Sequence, residues 1–372
     1  MRRTGHRFRA IDVLRGLTLA VMIVVNMQIG PGKSYTPLLH SAWNGLTPTD
    51  LVFPTFMFLV GAALSITLEK YAALGNAAVI RKIATRTALI FLCGYLLYWF
   101  PFFETDTSGH IILAPLAQTR ILGVLQRIAV GYGAAALIVY YGGRTGAISF
   151  AVSALLGYWG LLYVFGDYSL AGNAAIKLDK LVLGEAHMYH GEGVAFDPEG
   201  ILSTLPAIVN VLAGYLAARY VRDHGTNRVT IVRLLLFGAI CVVLSLWWNS
   251  AFPINKKLWT SSFVLCTVGI DLGILAVLIR AVPQAEERRW TYFFEVFGRN
   301  TLFIYLLAEA GQILLQRRIH IGQESLFEWL YEVGFAPWAG DEPGSLLYAV
   351  AYMLCCWLVA YVLDRKRIYI KL

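Results

Sequence analysis

Charge is what this sequence has least of. Only 15% of its 372 residues are Asp, Glu, Lys or Arg, against about 25% in ordinary soluble domains. With 58% hydrophobic residues and a mean hydropathy of +0.61, the shortage excludes a soluble globular enzyme and a disordered chain. Cysteine is sparse as well. Cys93, Cys241, Cys266, Cys355 and Cys356 all fall in apolar runs, without metal-ligand spacing. They exclude a disulfide-stapled module and read as packing residues. No metal is expected. Low-complexity linkers, short repeats and a separate soluble segment are also missing. What remains is an all-α, polytopic integral membrane bundle.

A bilayer core about 30 Å thick takes roughly 20 mostly apolar residues per helix. Ten runs qualify: 16–32, 51–68, 87–103, 121–141, 145–166, 200–218, 234–254, 258–279, 298–316 and 345–363. An even number puts both termini on one side, and basic residues choose that side. With the N-terminus inside, the inside loops carry 20 Lys and Arg. The outside loops carry seven: Lys33, Lys177, Lys180, Lys256, Lys257, Arg317 and Arg318. Both termini are therefore expected in the cytoplasm, and the net charge of +8 is a topology signal, not a nucleic-acid footprint. The first run lacks a small-residue cleavage motif and reads as a retained helix. The expectation is one transmembrane domain over 1–372, with outside loops 31–49, 167–199 and 317–344.

Polar groups at membrane depth are costly and mark function by default. Asp12 and Arg15 open the first run at i,i+3 spacing, as a structural ion pair or as ligand contacts. Thr47-Pro48-Thr49-Asp50 reads as a helix start, with Thr47 as N-cap and Asp50 closing a capping box. That accounts for Asp50 but not for His40 or Trp43 in so apolar a segment. A histidine titrates near neutral pH and can accept a proton from a nucleophile. A carboxylate on its other nitrogen would fix the tautomer, and Asp50 is placed for that. Gln126-Arg127, the run from Phe252 to Ser262, Gly298-Arg299-Asn300-Thr301, Asp271 and Glu309 add further polar groups to the spans. Each could be a packing bond; several together suggest a polar cavity, suited to a transporter or to an enzyme working across the bilayer.

The blocks Asp12-Val-Leu-Arg15-Gly16, His40-Ser-Ala-Trp43-Asn44-Gly45 running to Asp50 and Pro54, Gly123-Val-Leu-Gln126-Arg127, Phe196-Asp197-Pro198-Glu199-Gly200, Phe252 to Ser262 and Gly298-Arg299-Asn300-Thr301 occur in order over nearly the whole chain. Together they resemble the catalytic domain of the heparan-α-glucosaminide N-acetyltransferase family, and among its members the bacterial NagX-like branch. The opening Asp-x-x-Arg-Gly is also similar to the wider set of membrane acyltransferases that modify envelope glycans. The resemblance implies no counterpart of the lumenal portion carried by the family's eukaryotic member. It implies a transmembrane acyltransferase domain in a bacterial inner membrane, a possible homodimer, acetyl-CoA as co-substrate on the cytoplasmic side, and an amino sugar or glycan acceptor on the far side. The family's active histidine falls on His40 and its nearby asparagine on Asn26; Asp50 follows in the same motif.

On that resemblance His40 is assigned as general base, with Asp50 orienting it and Asn26 donating to the thioester oxygen in the transition state. An acetyl-histidine intermediate is the rival path. Gln126, Arg127, Asn255, Lys257, Trp259, Ser261 and Asn300 are the candidate CoA-binding residues, joined by Arg365 and Lys366 on charge alone. Trp43, Asn44, Asp197 and Glu199 are candidates for the acceptor sugar. The alternative function is an amino-sugar transporter using the same polar cavity by alternating access.

Overall fold

The computed structural model describes residues 8–72, 75–105, 108–282 and 288–370. Arg2, Arg3, Arg7 and Lys371 of the basic count lie outside them. The helices, in chain order, are α1 (Arg9–Asn26), α2 (Val52–Ala72), α3 (Asn76–Trp99), α4 (Val124–Phe165), α5 (Ala174–Leu183), α6 (Ile201–His224) and α7 (Arg228–Trp248). They continue with α8 (Ser261–Ala281), α9 (Arg289–Arg299), α10 (Thr301–Arg317), α11 (Leu326–Gly334), α12 (Ala336–Ala339) and α13 (Asp341–Arg365). Two small antiparallel hairpins depart from the all-helical expectation: β1 (Phe103–Thr105) with β2 (Ile111–Leu113), and β3 (His320–Ile321) with β4 (Glu324–Ser325).

Among the described residues, six helical stretches are long and apolar enough to cross a membrane: Pro48–Glu69, Val124–Phe165, Ile201–His224, Arg228–Trp248, Ser261–Ala281 and Asp341–Arg365. They hold seven of the ten expected runs, because α4 contains two, 121–141 and 145–166. Gly143, with φ 57° and ψ −147°, interrupts the helix where those runs meet, a conformation that glycine adopts without a Cβ penalty. Along α7 the large apolar side chains stay exposed, as at Leu236, Phe237 and Val243. Hydrocarbon is the solvent such a surface fits.

Several boundaries differ from the sequence expectation. Helix α3 begins at Asn76, well before the expected 87, because a basic first half extends the apolar one. Helix α7 runs from 228 to 248 instead of 234 to 254: the Asn227 side chain accepts from Thr230 N and starts it early. The loops expected outside also carry structure. Helix α5 occupies part of 167–199, and β3, β4, α11 and α12 occupy 317–344.

The chain divides into two compact units. The first holds residues up to 40, then 47–52 and the chain from 275. Here α1 packs against α9, α10 and α13. The contact with α9 depends on glycine: a Cβ on Gly16 would strike the Phe294 carbonyl, and one on Gly298 the Asp12 carbonyl. At the base of this unit Glu295 receives Arg9 at 2.8 Å and Arg299 at 3.1 Å, and Arg299 reaches Asp364 at 2.7 Å.

The second unit holds 41–46 and 53–274. Helix α4 packs on α3 and α6. Gly61 of α2 lies against the Val211 carbonyl of α6, and Gly214 of α6 against the Phe58 carbonyl of α2. Small residues at helix contacts of this kind are the usual means of close approach in lipid.

Candidate active site

The expected helix start at Thr47 forms as a 3-10 turn over Pro48–Leu51, with its capping box closed. Asp50 Oδ2 accepts from Thr47 N at 3.0 Å, and Thr47 Oγ1 donates to the Leu39 carbonyl at 2.8 Å. That second bond brings the segment carrying His40 beside the turn. Asp50 Oδ1 then lies 2.7 Å from His40 Nδ1. The two readings of Asp50, cap and histidine partner, are thus both realised, one by each oxygen. Asp50 is fully buried while the imidazole is half exposed. With Nδ1 held by a carboxylate, proton chemistry at this ring runs through Nε2.

The approach to His40 is tied down within the same unit. Ser34 Oγ lies 2.9 Å from Ser345 Oγ, and Ile29 N donates to Ser345 Oγ at 3.1 Å. Lys33 pairs with Glu332 of α11. Asn26 closes α1. Its Nδ2 donates to Glu309 Oε1 at 2.7 Å, and its carbonyl accepts from Gln312 Nε2 at 2.7 Å. The first unit thus presents two polar pairs, His40–Asp50 and Asn26–Glu309.

Asn300 lies at the joint of α9 and α10. Its Nδ2 donates to the Ile368 carbonyl and its Oδ1 accepts from Ile370 N, both at 2.9 Å. Both ends of this amide are therefore engaged by the C-terminal tail. Arg365 and Lys366 precede that tail and are exposed, the Arg365 guanidinium 5.9 Å from the Tyr361 ring centre.

In the second unit, residues 41–46 meet the run from Phe252 to Ser262. Asn255 Nδ2 donates to Asn44 Oδ1 at 3.2 Å, and Gly45 N donates to the Ile254 carbonyl at 2.8 Å. Lys257 Nζ donates to the Ala42 carbonyl at 2.9 Å and pairs with Glu192 at 2.7 Å. Trp43 donates from Nε1 to the Tyr168 carbonyl at 2.9 Å and packs on Phe196. Trp259 is buried with φ 53°, a left-handed conformation that costs a bulky residue about 1–3 kcal/mol. Phe53 against its ring, the Arg127 guanidinium 4.9 Å from the ring centre, and an Nε1 bond to Asn210 at 3.1 Å hold it there. Ser261 Oγ donates to the Leu155 carbonyl at 2.7 Å.

Gln126 and Arg127 differ from these. Both are fully buried at the start of α4. Arg127 Nη2 reaches Ser203 and the Gly200 carbonyl. Its Nε and Nη1, and both amide atoms of Gln126, have no hydrogen-bond partner among the described residues. Unsatisfied buried polar atoms cost about 1–3 kcal/mol each.

Asp197 and Glu199 are gathered by Arg120. Arg120 bonds Asp197 through Nη2 at 2.6 Å and Nε at 3.1 Å, and Glu199 at 2.5 Å. The guanidinium also lies over the rings of Tyr98 and Tyr189. Burial opposes charge throughout this cluster. It raises the Asp197 carboxyl above its ordinary range despite Arg120. At Glu199 burial is outweighed by Arg120 and Arg127, which hold the carboxyl low. For Arg120 itself burial is outweighed by Glu199, Tyr98 and Asp197, and its pKa rises. Beside them Asp179 receives Ile201 N at 2.8 Å on one oxygen, while the other has no partner among the described residues. Burial pushes its carboxyl up to about 6.

Residues 7–246 match the family described as "Heparan-alpha-glucosaminide N-acetyltransferase, catalytic". The chain belongs to this family. It is 28% identical to the Heparan-alpha-glucosaminide N-acetyltransferase of Homo sapiens over 428 aligned residues, covering 98% of this chain and 60% of that protein. The Mus musculus protein of the same name is 28% identical over 439 residues, covering 100% of this chain and 61% of the relative. The chain thus spans about three-fifths of the length of the curated relatives it matches.

Three members of these clusters were not assigned a role from the sequence. Glu309 was visible only as a carboxylate inside an apolar run, and its partner Asn26 is 283 positions away. Arg120 read as the edge of a span; the signal was one cation with two acids, Asp197 and Glu199, in a later loop. Glu192 stands among other loop acids, and nothing in the sequence singled it out for Lys257.

Proposed function

We propose that this chain is a transmembrane acetyltransferase that moves an acetyl group from acetyl-CoA to the amine of a glucosamine-type amino sugar. The single observation that carries the reading is the His40–Asp50 pair, a half-exposed imidazole held through Nδ1 by a buried carboxylate at 2.7 Å. Family membership sets the reaction class, and the relatives named N-acetyltransferase support it.

The amine nitrogen attacks the thioester carbonyl carbon and forms the amide bond while the carbon–sulfur bond breaks. His40 Nε2 takes the proton that the amine loses and passes it to the departing CoA thiolate. Asp50 stabilises the transient imidazolium and keeps the ring in the reactive tautomer. The Asn26 amide, held by Glu309, is the proposed donor to the oxyanion. Positioning the two substrates supplies several kcal/mol of the barrier reduction. Arg365 and Lys366, exposed beside the tail, are proposed to meet CoA phosphates. In the second unit, Gln126 and Arg127 offer unsatisfied donors to a polar ligand, and Trp43, Asn44, Asp197 and Glu199 are proposed on the acceptor side.

The reading includes ten crossings with both termini in the cytoplasm of a bacterial inner membrane, and a homodimeric assembly. Purified protein in detergent should transfer labelled acetyl from acetyl-CoA to glucosamine, and His40→Ala should abolish transfer without lowering the melting temperature. Acetyl-CoA alone distinguishes the two chemical paths: label retained on His40, with ping-pong kinetics, identifies a covalent intermediate. Saturable glucosamine flux into liposomes lacking acetyl-CoA, with no acetylated product in any assay, would replace the enzyme by a transporter.

A further inference from the structure

The Arg127 and Asp179 clusters belong to the site already described, and the exposed apolar β1–β2 hairpin has nothing on it to name its occupant. A cavity of about 700 Å³ at the α2–α3 end of the second unit goes further. Its wall includes Tyr71 of α2 and Arg81, Lys82, Thr85, Arg86 and Leu89 of α3. On a helix, 81 and 85, 82 and 86, and 82 and 85 are neighbours on one face. Three cations and a hydroxyl therefore share one concave surface.

The usual acid partners are elsewhere. No Asp or Glu lines the cavity among the described residues. The nearest acid in sequence on α2, Glu69, pairs with Arg222 at 2.6 Å. Two of the three cations lie over aromatic rings instead. Lys82 Nζ lies 4.7 Å from the Tyr71 ring centre, and the Arg86 guanidinium 4.8 Å from that of Tyr132 on α4. Arg86 Nε and the Tyr132 hydroxyl are both buried, and Arg86 is the hydroxyl's side-chain partner. Arg86 also sits about 7.5 Å along the helix axis from Arg81. It is drawn inward at the ring, not stretched toward water as a snorkelling arginine would be. Arg86 lines the cavity together with Arg81, Lys82 and Thr85.

We propose that this cavity binds the phosphate of an anionic phospholipid. Phosphate supplies the acceptor oxygens that two guanidiniums, an ammonium and a hydroxyl require. The source is a lipid because of what continues from the cavity. Leu89, Leu92 and Leu96 are exposed at i, i+3 and i+7 along α3, an apolar strip leading away from the charges. A phosphodiester in the basic end lays its acyl chain on that strip. Basic pockets between membrane helices recognise anionic headgroups by this division. The proposal does not depend on the acetyltransferase reading.

The test uses the full chain purified in detergent, offered equal phosphatidylglycerol and phosphatidylcholine and read by native mass spectrometry. Wild type is expected to retain phosphatidylglycerol at least about tenfold better. The combined substitution Arg81→Gln, Lys82→Gln, Arg86→Gln should bring retention to parity, while Arg81→Lys with Arg86→Lys should keep the preference. A phosphatidylglycerol bearing a photoreactive acyl chain should crosslink wild type within residues 76–99, a result that does not depend on the variants folding. Equal retention of both lipids by wild type, or crosslinks only elsewhere, overturns the proposal. Displacement of the lipid by inorganic phosphate or CoA, with no acyl crosslink on α3, overturns it in favour of a soluble phosphate ligand.

Discussion

Asp50 divides its two oxygens between a turn and a ring, and substitution can separate those duties. Asp50→Asn keeps a group able to satisfy the turn but removes the negative charge facing His40 Nδ1. Acetyl transfer should fall by about 10²–10⁴-fold, while the melting temperature changes little; both are measured on the same preparation. Asp179 gives a pH prediction. Its folded pKa of about 6 is above the unfolded value of about 3.9. Between those values the folded state binds more protons than the unfolded one, so stability is lost as pH rises through the window. The term is at most about 3 kcal/mol. Asp179→Asn should flatten that part of the profile, seen as a smaller wild-type-to-variant gap in melting temperature at pH 4.5 than at pH 7. The His40–Asp50 contact was legible because both residues stand in one short motif, whereas Asn26 entered only through the family resemblance. Glu309 and Arg120 were not legible, since each acquires its partner only through long-range packing.

Helix contacts in this chain are set by glycines whose missing Cβ admits a neighbouring backbone. Gly16→Val is expected to destabilise the α1–α9 contact by about 1–3 kcal/mol, the usual cost of overpacking, and to lower the detergent melting temperature. Gly157 in α4, with open space around it, is the control position: an alanine there should leave the melting temperature nearly unchanged. Apolar runs were readable as elements because hydrocarbon demands their length. Helix α9 escaped because it is 11 residues with charged ends and one buried face, too short and too polar to register as a run. The early start of α7 turned on one local bond, from Thr230 N to Asn227. A hydropathy pattern contains no such information.

At the scale of the whole molecule the informative quantity is where the cations fall. Reporter fusions after Arg222 and after Arg288 should read cytoplasmic, and fusions after Lys177 and after Arg318 periplasmic. A periplasmic signal after Arg222 would refute the ten-span order. The class of molecule was legible from composition alone, since few environments accept so little charge. The small elements within loops 167–199 and 317–344 were not, because turns, caps and short hairpins there carry no solvent-imposed period.

The tail beyond α13 is stitched to Asn300 by two bonds of 2.9 Å. A clone shortened ahead of Ile368 would strip both partners from an amide that is buried in the intact chain. Its failure should surface as low yield and early precipitation during extraction, before any assay of chemistry begins. An affinity handle fused directly at that end would pull on the same stitch.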